Sequence, residues 1–100
     1  MIGHYGITKT ALIALAKTLA KELHNDEIRV NSIAPGLIKT DFSKALWEGG
    51  EENAKNLLGI NRLGVPRDIA NVTKFLLSDE ASYVNGEYIA AVGRPISRLW

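Results

Sequence analysis

The chain has no cysteine among its 100 residues. That excludes disulfides and thiolate metal sites and fits a reducing compartment, so secretion has no support. It also lacks an excess of charge of either sign: 12 Lys and Arg stand against 11 Asp and Glu, scattered along the sequence. Without a dense positive field nothing suits a phosphate backbone, and nucleic acid is not an expected partner. A long hydrophobic run is missing too. The longest, Ala11 to Ala16, is stopped by Lys17, far short of the ~20 residues of a membrane span, and no membrane association is expected. Met1-Ile2-Gly3-His4 has the form of neither a secretory signal nor a transit peptide. What is present, 46% hydrophobic and 23% charged residues, suits one globular unit and leaves no room for a second domain.

From Tyr5 to Leu23, apolar residues recur at Ile7, Ala11, Leu15, Leu19 and Leu23, with Leu12, Ala16 and Ala20 beside them. This spacing predicts a long amphipathic helix, ended by the turn-forming His24-Asn25-Asp26. Ile28 to Ile33 is β-branched at three positions and runs into Pro35-Gly36, which predicts a short strand followed by a loop. Thr40 and Asp41 can cap a helix through Trp47, Gly49-Gly50 breaks it, and Glu51 to Ile60 can form another, together a helical lid packed through Phe42, Leu46 and Trp47. Pro66 opens a further helix, with Asp68 complementing its positive end. Asn85-Gly86 signals a turn before Tyr88 to Val92, an apolar run expected to be a fully buried strand. Helix, strand, helices, strand is the order of the α/β class, but two strands make a poor sheet. Opening almost directly into a helix, the sequence therefore reads as the end of a larger doubly wound parallel sheet.

Tyr5 and Lys9 are four apart at the start of the long helix, on one face and one turn from each other. A phenol is a slow acid near neutrality, but an adjacent ammonium favours its phenolate and eases proton exchange with a substrate oxygen. Alone the spacing is weak, since roughly one chain in six of this length would carry it at average composition. His4 and His24 have no partners at metal-ligand spacing and read as ordinary helix-end residues.

Four segments together resemble the classical short-chain dehydrogenase/reductase family. Tyr5-Gly6-Ile7-Thr8-Lys9 is similar to its Tyr-x-x-x-Lys, and Ile28 to Thr40, with Pro35-Gly36-Leu37-Ile38-Lys39-Thr40, to its strand and Pro-Gly-x-Ile-x-Thr loop. Arg62-Leu63-Gly64-Val65-Pro66-Arg67-Asp68-Ile69-Ala70 looks like the start of one of its helices, and Ser82 to Glu87 like the turn before its last strand. The implied fold is the C-terminal part of a single Rossmann-like domain spanning residues 1–100, the last two strands with flanking helices. The implied activity is reduction of carbonyls (ketones, aldehydes, retinal among them) to alcohols with a nicotinamide cofactor.

On this resemblance Tyr5 would exchange a proton with the substrate oxygen. Lys9 would hold the nicotinamide ribose and lower the pKa of Tyr5. Pro35 and Gly36 would shape the cofactor loop, the backbone of Ile38 would meet the carboxamide, and Thr40 the pyrophosphate. A finer resemblance, carried by Ala34 to Thr40 and the tail Ser97-Arg98-Leu99, is to the dehydrogenase/reductase family member 4 branch. It implies NADP, with NAD also open, and a homo-oligomer in the full-length form. Location would be cytoplasmic or peroxisomal, because Ser97-Arg98-Leu99 resembles a peroxisomal signal that Trp100 masks. Gly93-Arg94 departs from the family's usual Asp-Gly-Gly.

The family's Gly-rich phosphate turn, Asn-Ala-Gly segment and catalytic serine lie upstream of the tyrosine, where this chain has four residues. These 100 residues alone are therefore expected neither to bind NADPH appreciably nor to turn over. The alternative is a non-catalytic product or interaction module that associates with an intact homologue.

Overall fold

The computed structural model describes residues 2–94, with the backbone alone described at Ile2 and Tyr5. The tail Ser97-Arg98-Leu99-Trp100 lies outside the described residues. Its elements run α1 (Ile2–Leu23), β1 (Ser32–Pro35), α2 (Lys44–Trp47), α3 (Glu51–Leu58), α4 (Pro66–Leu77) and β2 (Tyr88–Ala91), with single 3₁₀ turns at His24–Asp26 and Asp79–Ala81. The order is the expected α/β one. β1 and β2 form a two-stranded sheet. Ser32 N–H donates to Glu87 O and Gly36 N–H to Ala91 O, a constant offset that makes the pair parallel. The described residues divide into two compact units, one of residues up to 33 with Thr73–Ile89, the other of Ala34–Val72 with residues 90–94.

In the first unit, the described side chains of α1 that are packed all lie in its second half. Ala20 is buried and Ile13, Ala16, Leu19 and Leu23 are half-buried, whereas Ile7, Leu12 and Leu15 are 72%, 54% and 51% exposed. The packed stripe therefore runs through Ile13 and omits Ile7 and Leu15, two members of the face expected from sequence. Lys17 ties the helix down by donating through Nζ to Gly86 O at 2.8 Å. Gly86 has φ 76°, a conformation that suits glycine, and it lies against Ala20.

The expected strand from Ile28 begins later, at Ser32. Its partner starts only at Tyr88, so the preceding residues bond to the Asn85-Gly86 turn instead of to a ladder. Val30 N–H donates to Asn85 Oδ1 at 2.9 Å, Gly86 N–H to Val30 O at 2.8 Å, and Asn31 pairs with both Val84 O and Glu87 N–H at 3.0 Å. The Arg29 guanidinium reaches Val84 O and Ser78 O at 3.2 and 3.3 Å. Side-chain amides thus satisfy backbone groups that a longer strand would have paired. β2 is half-buried throughout, not fully buried. It stops at Ala91, and β1 is its only neighbour among the described residues.

In the second unit Ala54 and Leu63 are buried. α3 ends at Leu58, two residues early, because Gly59 takes φ 65° and its N–H caps the helix. The short α2 starts after Ser43, not at Thr40 or Asp41. Phe42 and Leu46 are 100% and 71% exposed, so the expected lid packing is confined to Trp47.

Candidate functional site

The first unit contributes the start of α1, whose backbone sets positions 5 and 9 one turn apart on one face. Lys9 is exposed. The side chain of Tyr5 is outside what the structure describes. Pro35, Gly36, Ile38 and Thr40 all fall in the second unit, where the structure brings them together around the end of β1.

Gly36 closes the sheet, its N–H meeting Ala91 O at 2.9 Å. A Cβ there would stand 2.9 Å from Val92 Cα. Gly36 does not have a positive φ, so glycine is needed for close backbone approach and not for a turn. Beyond it the loop lies along Gly64. Gly64 N–H donates to Leu37 O at 3.0 Å and Lys39 N–H to Gly64 O at 2.8 Å, an isolated parallel bridge centred on Ile38. Ile38 Cδ1 occupies the space a Cβ on Gly64 would need.

Gly64 is held in turn by its own segment. The Arg62 guanidinium makes a two-point pair with Asp68, Nη1 to Oδ2 at 2.8 Å and Nη2 to Oδ1 at 2.9 Å, and Nη1 also donates to Leu63 O. Asp68 Oδ2 accepts Val65 N–H at 2.7 Å, while Asp68 N–H returns to Val65 O, the reciprocal cap of a helix whose first residue is Pro66. The Arg62 hydrogen bond, then the Val65 N–H, hold the Asp68 carboxyl down at about 2, and the pairing raises Arg62. Sequence reasoning gave Asp68 only a dipole role and Arg62 only a place in a motif. The spacing of Val65 and Asp68, cap to third helical residue, was the available signal.

A second group was missed. Ser43 Oγ donates to Ile38 O, accepts Thr40 N–H at 3.1 Å and the Thr40 hydroxyl at 3.2 Å, and accepts Trp47 Nε1–H at 3.2 Å. Ser43 N–H in turn donates to Thr40 Oγ1. Thr40 therefore closes the turn before α2 and does not cap the helix itself, whose N-cap is Ser43. Lys39 pairs with Glu51 and stands 4.9 Å from the Trp47 ring centroid, which fixes the far side of the loop.

A cavity of about 490 Å³ lies against Gly36 to Ile38, Arg62, Gly64, Asp68 and Val92. The Ile38 N–H has no partner among the described residues, and so the loop offers a backbone donor that a carboxamide oxygen suits. The Ile38 carbonyl and the Thr40 hydroxyl are already engaged by Ser43. A ligand phosphate would have to take over one of the hydroxyl's contacts. Among the described residues no group of His, Asp or Glu could hold a metal ion, and no helix is long and apolar enough to cross a membrane.

Comparison with known proteins adds identity to this geometry. A family model described as enoyl-(acyl carrier protein) reductase matches residues 1–93. The chain is 52% identical over 100 residues to rabbit (Oryctolagus cuniculus) dehydrogenase/reductase SDR family member 4, covering 98% of this chain and 38% of that protein. Among solved structures it resembles a 4-hydroxyisoleucine dehydrogenase complexed with NADH, at TM-score 0.80 and 31% identity over 89% of this chain and 37% of the other. It also resembles a blue fluorescent protein from a metagenomic library in complex with NADPH, at TM-score 0.79 and 34% identity over 89% of this chain and 36% of the other. The chain thus spans under half the length of the relatives it matches.

Proposed function

Starting from the short-chain dehydrogenase/reductase family, to which this chain belongs, we propose that residues 1–100 are the C-terminal portion of one domain of a nicotinamide-dependent carbonyl reductase. The observation that carries the reading is the 52% identity with the rabbit member 4 protein across nearly the whole chain. Reduced nicotinamide, NADPH by that branch and NADH in one structural relative, would supply hydride to the carbonyl carbon. Tyr5 would donate the proton to the carbonyl oxygen. Lys9, one turn on, would favour the Tyr5 phenolate by its charge and bind ribose hydroxyls with its remaining donors. Pro35 ends the strand, Gly36 lets the loop pass close to Val92, the free Ile38 N–H suits the carboxamide, and Thr40 would exchange its Ser43 contacts for the pyrophosphate. The pocket would take a small carbonyl or alcohol, and the full-length form would be a homo-oligomer. Its location would be cytoplasmic or peroxisomal, Ser97-Arg98-Leu99 being similar to a peroxisomal signal that Trp100 masks. Removing Trp100 should move a fusion of the tail to peroxisomes, and an unchanged distribution would count against the masked signal.

The deciding experiment is a chimera in which these residues replace the matching part of the rabbit relative. NADPH-dependent carbonyl reduction is expected, falling by about 10² or more in Tyr5→Phe, the scale of a lost general acid. A folded chimera without turnover, or a Tyr5→Phe form as fast as its parent, would sink the reading. The bare apolar residues Ile7, Leu12 and Leu15 on α1 favour a second use of the 100-residue product, as a non-catalytic module joining an intact homologue. Co-purification with such a homologue tests it, and failure to associate would exclude it.

A further inference from the structure

We propose that Asp68, with Arg62, is a positioning residue for the loop that presents Ile38, acting through Gly64. The inference rests on the reading of residues 35–40 as the cofactor loop.

The connection is short and continuous. Asp68 takes Val65 N–H on one oxygen and the Arg62 guanidinium on both. Arg62 also holds Leu63 O at 3.0 Å. The four residues 62–65 are thereby fixed at both ends by one carboxylate, and Gly64 lies inside the span. Gly64 then serves as the backbone template for the loop, giving one hydrogen bond to Leu37 and taking one from Lys39. Ile38 lies between those two bonds, so the template sets the direction of its N–H, which has no partner among the described residues. Side-chain packing adds a second hold, with Ile38 Cδ1 against Gly64 Cα. Ser43 anchors the carbonyl side. On the donor side the chain enters from Gly36, whose N–H is tied to Ala91 O two residues earlier.

The simpler alternative is that Asp68 only caps α4. The two roles separate in amide exchange, which reads local opening residue by residue. A cap holds the first turn of α4, including Asp68 N–H. A positioning role also holds Lys39 N–H and Gly64 N–H, which belong to a different segment of the chain.

The test is hydrogen exchange by NMR on the 100-residue chain, comparing the parent with Asp68→Asn, Asp68→Ala and Arg62→Lys. We expect exchange at Lys39 and Gly64 to rise about tenfold or more in Asp68→Ala and less in Asp68→Asn, which keeps an acceptor for Val65. Arg62→Lys should also accelerate both, because an ammonium cannot make the two-point pair. The amides of Ser32 and Gly86, in the first unit, should stay within about twofold in every variant. Acceleration confined to the first turn of α4 would overturn the proposal and leave a plain cap. Uniform acceleration in all three variants, the isosteric Asp68→Asn included, would overturn it too.

The chimera separates this from the functional reading. If the chimera turns over, Asp68→Asn should raise KM for NADPH severalfold with kcat within about twofold, and an unchanged KM would defeat the positioning role. If the chimera is inert while the exchange pattern holds, the cofactor reading falls and the hold on the loop stands.

Discussion

The two units secure their backbones in different ways. In the first, asparagine and arginine side chains reach across to a turn. Arg29, Asn31 and Asn85 together satisfy Ser78, Val84, Val30 and Glu87, while the first half of α1 stays exposed. In the second, backbone meets backbone at glycines, Gly36 against Val92 and Gly64 against Leu37 and Lys39, and the Arg62–Asp68 pair braces the Gly64 segment from outside. Side-chain bridges tolerate small shifts, because each end can turn. Backbone contact at a glycine does not. The proposed proton donor therefore sits on the loosely held element and the proposed cofactor loop on the tightly held one.

The contrast should break first at Gly36. A methyl group there meets Val92 Cα at 2.9 Å, and main chain cannot step aside as a side-chain tip can. Gly36→Ala should cost about 3 kcal/mol, the upper end for an overpacked site. Urea unfolding would measure it. A cost below about 1 kcal/mol would mean that strand end and loop move apart freely, and the second unit would then be no stiffer than the first.

Next comes Asn31, the corresponding member of the first unit. Asn31→Ala leaves Val84 O with only Arg29 and Glu87 N–H without its partner. The expected loss is about 1–2 kcal/mol, with the chain remaining folded. Should it match or exceed Gly36→Ala in the same urea series, side-chain bridging is the stronger device and the ranking of the two units reverses.

These two positions also show how far the residues alone could be read. Helix α4 was legible from Pro66 and Asp68, and the Asn85-Gly86 turn from its residue pair, because local chemistry decides both. Gly36 was singled out by resemblance, but the physical reason for a glycine there was not legible. Close approach to Val92 is a contact across 56 positions of sequence, and no local pattern encodes it. The strand start was misplaced for the same cause: Ile28 and Val30 are strand-forming, but the partner strand decides where a ladder begins. Ser43 was overlooked since a serine two residues after an aspartate reads as ordinary turn chemistry. Its contacts with Thr40, Ile38 and Trp47 exist only once the turn has closed. The four-residue spacing of Tyr5 and Lys9 was visible in sequence, and the described structure adds the helix beneath it and no side-chain detail for Tyr5.

Acid gives a gentler separation of the units. The Asp68 carboxyl is lowered from 3.8 to about 2 by Arg62 and Val65. A group whose folded pKa is depressed binds fewer protons when folded, so its support is complete above the unfolded value and fades as pH falls through the folded one. Amide protection at Lys39 and Gly64 should hold at pH 5 and decline between pH 3.8 and about 2. Exchange corrected for its intrinsic pH dependence would follow it. Loss already complete above pH 4 would show that some other carboxylate controls the loop.

The smallest effect is expected where the first unit is barest. Ile7, Leu12 and Leu15 keep half or more of their surface exposed, so replacing any of them with serine removes little buried area from the chain itself. Leu12→Ser and Leu15→Ser should each change stability by less than about 0.5 kcal/mol plus the small helix-propensity cost of serine. That near-silence has content. Apolar side chains in solvent bring no stability to their own chain, and so the α1 face is free to be chosen for whatever covers it. If either substitution costs about 2 kcal/mol or more in the isolated chain, the face is covered by the chain's own residues or by a second copy. Dependence of the unfolding midpoint on protein concentration would separate those two cases, since only the second is a matter of mass action.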